Sequence, residues 1–162
     1  MKRNFLATLA LFFITPFVFA AESGELAPDI ELPHLIDGQV LRLSDLKGKV
    51  VYVDFWASWC APCRRSLPQL SALREELADV FEVFAVNVDE NPQDGIRFLE
   101  KYPVTYPVLA DSAAKYPQIY QPKGMPTSYL VDKNGFIRHV HEGFRKGDID
   151  RIRAMVEHLV KE

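Results

Sequence analysis

The apolar positions of this chain fall into runs of two different periods. Lys49–Phe55 (KVVYVDF) is short, almost continuously apolar and rich in β-branched and aromatic side chains, which predicts a buried strand. Leu67, Leu70, Leu73 and Leu77 then recur at helical spacing, so one stripe of the following helix is apolar. Phe81–Val88 (FEVFAVNV) predicts a second buried strand, and Asp89-Glu90-Asn91-Pro92 turns the chain out of it. A helix over 93–101, a short strand over 107–110 and a short helix over 113–120 follow. Ser128–Val131 and Phe136–His141 flank Asp132-Lys133-Asn134-Gly135, a hairpin signal. Ile149, Ile152, Met155, Val156 and Leu159 mark an amphipathic C-terminal helix, with Asp148 placed to cap it. Upstream, residues 21–48 are loop-rich, with Asp37-Gly38 as a turn between extended pieces around Ile30 and over Val40–Leu43. Alternating strands and helices that end in a hairpin and a helix predict an α/β sandwich around a mixed sheet.

Residues 1–20 follow neither period. Lys2 and Arg3 precede an almost wholly apolar stretch, Phe5–Ala20, and Val18-Phe19-Ala20 offers small residues where a signal peptidase cuts. We read 1–20 as a secretory signal cleaved after Ala20, and 21–162 as one domain. The alternative is an uncleaved membrane anchor, although the run is shorter than the ~20 apolar residues of a spanning helix and contains Pro16. On either reading the globular part is exported, periplasmic or held at a membrane.

Charge and cysteine count narrow the function. The 162 residues carry 19 basic and 22 acidic side chains, a net of -3, which becomes -5 once Lys2 and Arg3 are removed. No global charge draws such a chain to nucleic acid or to an anionic membrane surface. Two cysteines are too few for a disulfide scaffold or a four-cysteine zinc module. Both cysteines, however, lie in one tetrapeptide, Cys60-Ala61-Pro62-Cys63, between the first predicted strand and the first long helix.

That position suits thiol chemistry. Two residues apart, the cysteines can bridge across a helical turn. Cys60 at a helix N-terminus meets free N–H groups and the positive end of the dipole, which favour a thiolate. Arg64 and Arg65 add positive charge, and Pro62 has no N–H to leave unpaired in a first turn. Cys63, one turn inward, is expected to be the more buried. Three other readings compete. A purely structural disulfide would close almost no loop. A zinc site needs four ligands, and His139 and His141 lie far along the chain. Two inert buried cysteines are the third. Redox chemistry fits the pattern best; His34 and His158 show no pattern of their own.

The run VYVDFWASWCAPC (Val51–Cys63) resembles the active-site segment of thioredoxins. The wider pattern is similar to the exported TlpA/ResA-like thiol–disulfide oxidoreductases. It is carried by APDIELPHLIDGQVLRLSDLKGK (Ala27–Lys49), YPVTYPVLAD (Tyr102–Asp111) and IYQPKGMPTSYLVDKNGFI (Ile119–Ile137). The resemblance implies a thioredoxin-like three-layer sandwich with an N-terminal β extension. It makes Cys60 the attacking cysteine and Cys63 the resolving one. It makes Pro126 a cis-proline beside the pair, exposing the backbone of Met125 to an extended substrate strand; from the residues alone, Pro126 reads as a trans proline opening a strand. It makes Asp54 a buried acid of raised pKa that takes the proton of Cys63. Trp56 and Trp59 pack around the site or act as plain core and rim aromatics, and Trp59, Pro62, Met125 and Pro126 would meet the substrate.

The implied enzyme needs no cofactor or metal and acts as a monomer on protein disulfides. Ala61-Pro62 is closer to the reducing Gly-Pro dipeptide than to the oxidising Pro-His, which favours a reductase fed by a membrane electron donor. Ser66 stands where members devoted to cytochrome maturation carry Glu. The alternatives are a peroxiredoxin-like thiol peroxidase, whose Pro…Thr pattern is missing before Cys60, and a Sco-like copper-delivery protein, which spaces its cysteines by three.

Overall fold

A computed structural model describes residues 21–162; the segment read as a signal or anchor lies outside the described residues. Among the described residues, no helix is long and apolar enough to cross a membrane. The elements run β1 (Glu31–Pro33), β2 (Val40–Arg42), β3 (Val50–Trp56), α1 (Cys63–Glu76), β4 (Phe81–Asn87), α2 (Pro92–Lys101), β5 (Val108–Ala110), α3 (Lys115–Tyr120), β6 (Thr127–Val131), β7 (Ile137–Glu142) and α4 (Asp148–Lys161). Five strands form one sheet in the order β5-β4-β3-β6-β7, and β1 and β2 form a separate antiparallel pair. β3, β4 and β5 are parallel, whereas β6 and β7 run antiparallel, giving the mixed sheet that the sequence pattern predicts.

Topology decides which face each helix covers. The crossovers β3–α1–β4 and β4–α2–β5 step in the same direction, so right-handed connections put α1 and α2 on one face. The packing agrees: Val50, Tyr52 and Trp56 of β3 cluster with Leu67, Leu70 and Leu73 of α1, Phe98 of α2, and Ile152, Val156 and Leu159 of α4. Val51, Val53 and Phe55 point the other way, onto Tyr116 and Tyr120 of α3 and onto Ile30 and Leu32 of the N-terminal extension. These are the three layers. The period of two also puts Asp54, between Val53 and Phe55, on the α1/α4 face.

Some local expectations change. Asp148 does not cap α4: Gly147, in a left-handed conformation at φ +88°, holds the cap position. Asp148 becomes the first helical residue, and its Oδ2 accepts a hydrogen bond from the Arg145 backbone N–H at 2.6 Å. Leu77 is the C-cap of α1, outside the helix, although it still packs against the core. Residues Leu43–Leu46 form a short 3-10 turn. Pro68 lies inside α1, where the missing N–H interrupts the helical ladder. The 132–135 turn is built by Asp132, whose Oδ1 accepts from the N–H groups of Asn134 and Phe136, with Gly135 at φ +94°.

Candidate active site

The candidate site begins where β3 ends. After Trp56 the chain turns through Ala57 and Ser58, with the Cys60 N–H donating to Ala57 O and the Cys63 N–H to Cys60 O. Pro62, in the right-handed helical region, is the N-cap, and Cys63 is the first residue of α1. Cys60 thus sits in the turn leading into the helix, three residues ahead of it. Cys60 and Cys63 are joined in a disulfide, with their Cα atoms 5.4 Å apart. Both are buried in this oxidised state, Cys63 completely and Cys60 to 3 % exposure, so the expected contrast between them is small. Trp59, by contrast, is 66 % exposed beside them.

Three strands supply the floor. The Met125–Pro126 peptide bond is cis. Thr127, the next residue, opens β6 and pairs with Phe55, so the cis bond lies at the end of the sheet where β3 leads into the cysteine turn. Met125 packs against the core cluster that contains Cys60 and Cys63. The next cross-strand pair inward is Asp54 with Ser128, and Ser128 pairs in turn with His141 of β7. Directly opposed residues share a face, so Asp54, Ser128 and His141 form a polar row under the α1/α4 layer. Ser128 Oγ donates to Asp54 Oδ1 at 2.6 Å. Beyond the row, His141 Nε2 lies 3.3 Å from Asp148 Oδ2.

Asp54 is 1 % exposed, and its Oδ2 has no hydrogen-bond partner among the described residues. Burial pushes its pKa up to about 7, with the Ser128 hydrogen bond acting in the opposite direction. Tyr52 Oη and Trp56 Nε1, on the same face, are also buried without hydrogen-bond partners among the described residues. Burial, and secondarily the charge of Asp54, raises the Tyr52 and Tyr106 hydroxyls. Asp54 is therefore a group in this pocket that can exchange a proton near neutrality.

A second polar cluster fixes the turn. Asp89, just past β4, is buried and accepts from the Ser58 N–H (3.0 Å to Oδ2), from Ser58 Oγ (3.0 Å) and from Asn87 Nδ2 (2.8 Å). The Val88 N–H donates to Trp56 O, so the start of the turn is tied to the segment leaving β4 at two points. Ser66, buried in α1, donates to Cys63 O at 3.5 Å. The pattern of the chain shows Asp54 because an acid interrupts an apolar strand. It hides the roles of Ser58, Asp89 and Ser128, which look like ordinary turn and strand residues. Among the described residues, no group of three or more His, Cys, Asp or Glu side chains is gathered as a metal-ligand set.

The fold thus brings a disulfide at the head of a helix, a buried acid on the same sheet face and a cis-proline to one end of the sheet. The family model described as Redoxin matches residues 22–156. The chain belongs to the Redoxin family. Among its relatives, the thioredoxin-like protein YneN of Bacillus subtilis is 38 % identical over 125 residues, covering 75 % of this chain and 72 % of that protein. The thiol-disulfide oxidoreductase ResA of Geobacillus kaustophilus is 36 % identical over 138 residues, covering 82 % and 76 %. In structure, a chain from Chlorobium tepidum described as thiol:disulfide interchange protein DsbE is similar at a TM-score of 0.82 and 40 % identity, over 87 % of this chain and 99 % of that one. The pneumococcal exposed lipoprotein thioredoxin Etrx1 of Streptococcus pneumoniae matches at 0.72 and 33 % identity, over 82 % and 100 %. This Redoxin-family chain is a thiol–disulfide oxidoreductase with the thioredoxin fold.

Proposed function

We propose that this oxidoreductase reduces disulfide bonds in exported proteins, with Cys60 attacking and Cys63 resolving. The observation that carries the reading is the partnerless Asp54 Oδ2, buried on the sheet face against which the cysteine pair packs. In the reduced enzyme, the Cys60 thiolate attacks one sulfur of a substrate disulfide. That S–S bond breaks, a Cys60–substrate disulfide forms, and the departing sulfur takes a proton from solvent. Cys63 then gives its proton to Asp54 and attacks Cys60 Sγ. The mixed disulfide breaks, the second substrate sulfur leaves as a thiolate that takes a proton from solvent, and the Cys60–Cys63 disulfide closes. Two electrons have passed from enzyme to substrate. Trp59, Pro62, Met125 and Pro126 form the rim on which the substrate strand lies, with Met125 backbone groups available for strand pairing.

Export and direction rest on the sequence. The basic start and apolar run of residues 1–20 support secretion, with the segment cleaved or retained as an anchor. The pneumococcal relative is described as an exposed lipoprotein, which accords with a location outside the cytoplasm. Ala61-Pro62 supports reduction, and a reductase in an oxidising compartment draws its electrons from a membrane donor. The enzyme acts as a monomer on its protein substrates.

Reduction of insulin disulfides, with the reduction potential measured against glutathione, tests the reading. The wild type is expected to reduce insulin, with a potential nearer the roughly -270 mV of thioredoxin than the roughly -120 mV of a strong oxidant. Loss of this activity in Cys60→Ser is expected as well. A potential at the oxidising end would overturn the direction. Turnover of peroxide or tight copper binding, in place of insulin reduction, would overturn the function.

A further inference from the structure

Most of the described arginines are neutralised, and the exceptions are not scattered. Of the nine described arginines, Arg42, Arg74, Arg97, Arg138, Arg151 and Arg153 form ion pairs. Arg64, Arg65 and Arg145 have neither an ion pair nor a side-chain hydrogen bond among the described residues, and all three are exposed. Arg64 and Arg65 directly follow Cys63. Arg145 is distant in sequence, but its loop returns to the same place: the Gly143 N–H donates to the carbonyl of the cis-proline, Pro126.

Two clefts collect these charges, one between the start of α1 and α2 and the other between α1 and the 144–147 loop. One, of about 370 Å³, is lined by Ser58 and Arg64 from the cysteine turn and by Arg97 and Lys101 from α2. Its one acid is Asp94, already paired with Arg97. The other, of about 270 Å³, lies between α1 and the 144–147 loop, with Arg65, Arg145 and Lys146 on its walls and no acid among its lining residues. Two buried carboxylates of the adjoining segments are engaged: Asp89 holds Ser58, and Asp148 faces the Arg145 N–H, Arg151 and His141. Within a chain of net negative charge, the described arginines without an ion pair thus gather around the redox centre.

We propose that these two clefts form a cationic collar that recognises acidic residues flanking the target cysteines of the protein substrate. The inference rests on the disulfide-reductase reading and deepens it by naming a substrate class. Complementary charge at such range steers encounter and sets orientation rather than adding dry contact, so its effect is salt-dependent. Acidic side chains on either side of a substrate cysteine would enter the two clefts while the strand lies along Met125.

The test uses three synthetic peptides of one sequence closed by an intramolecular disulfide, with Glu, Gln or Lys flanking the cysteines. The reduced full chain is assayed for kcat/KM on each, at about 20 mM and about 0.5 M salt. The Glu peptide is expected to exceed the Lys peptide by at least about tenfold at low salt, with the ratio collapsing at high salt. The double variants Arg145→Glu/Lys146→Glu and Arg64→Glu/Lys101→Glu are expected to shrink or reverse the ratio. Because each ratio is taken within one variant, changes in intrinsic thiol reactivity cancel. Equal rates on all three peptides at low salt, with the Gln peptide turned over normally, would overturn the collar and leave the reductase reading standing. Failure to reduce any peptide would overturn both.

Discussion

Asp54 holds a carboxyl in a site where it has one hydrogen bond and one bare oxygen. Its pKa near 7, against an ordinary 3.8, means that the folded chain binds this proton more tightly than the unfolded chain does. The resulting stability is complete below about pH 4 and is lost as pH rises through 7. Chemical denaturation of the oxidised protein should therefore show stability falling over that window by up to roughly 4 kcal/mol. Asp54→Asn should flatten the fall and be the more stable form at pH 8, and a wild-type stability independent of pH would contradict the assignment. The same variant should lose catalysis by about 10²-fold or more, through a longer-lived mixed disulfide. Ser128→Ala removes the one hydrogen bond that favours the charged form, so the Asp54 titration followed by NMR should move to higher pH. Asp54 was legible in the sequence because an acid inside an apolar strand is costly. Ser128 was not, since its role exists only through cross-strand register with a residue far away in the chain.

Among the elements, the junction of β4 with α2 controls the cysteine turn. Asp89, held by the Asn87 side-chain amide, clamps Ser58, and Gly95 of α2 packs against Asn87 so closely that an added Cβ would lie 2.9 Å from Asn87 Oδ1. An Ala in a helix interior ordinarily stabilises by up to about 1 kcal/mol relative to Gly. Here Gly95→Ala should instead destabilise by about 1–3 kcal/mol through overpacking. The cost should shrink in an Asn87→Ala background, as read by a thermal-unfolding double-mutant cycle. Additive costs would show that the two residues are not coupled. The elements themselves were readable from period: the strands and helices appear within a residue or two of the apolar runs. The cap of α4 was not, because Gly147 takes up a left-handed conformation and displaces Asp148 into the helix. The interruption of α1 by Pro68 was masked by an otherwise regular leucine stripe.

At the scale of the whole molecule, the fold concentrates unlike groups at one end of the sheet. A cysteine turn, a cis-proline, a titrating acid and an excess of positive charge meet where β3 and β6 adjoin α1, and only the first was explicit in the sequence as a contiguous motif. The proline was read through resemblance and the acid through resemblance together with its place in an apolar strand, whereas the charge collar emerged from the packing, since Arg145 reaches the site through the 143–147 loop. Mixed-disulfide trapping tests the division of labour between the cysteines most directly. Cys63→Ser, in the otherwise intact chain, is incubated with a disulfide-bonded peptide, and the products are resolved by non-reducing mass spectrometry. A stable adduct on Cys60 that thiol reductant releases is the predicted result. Adducts from Cys60→Ser through Cys63 at an equal rate, or none from Cys63→Ser, would contradict the assignment.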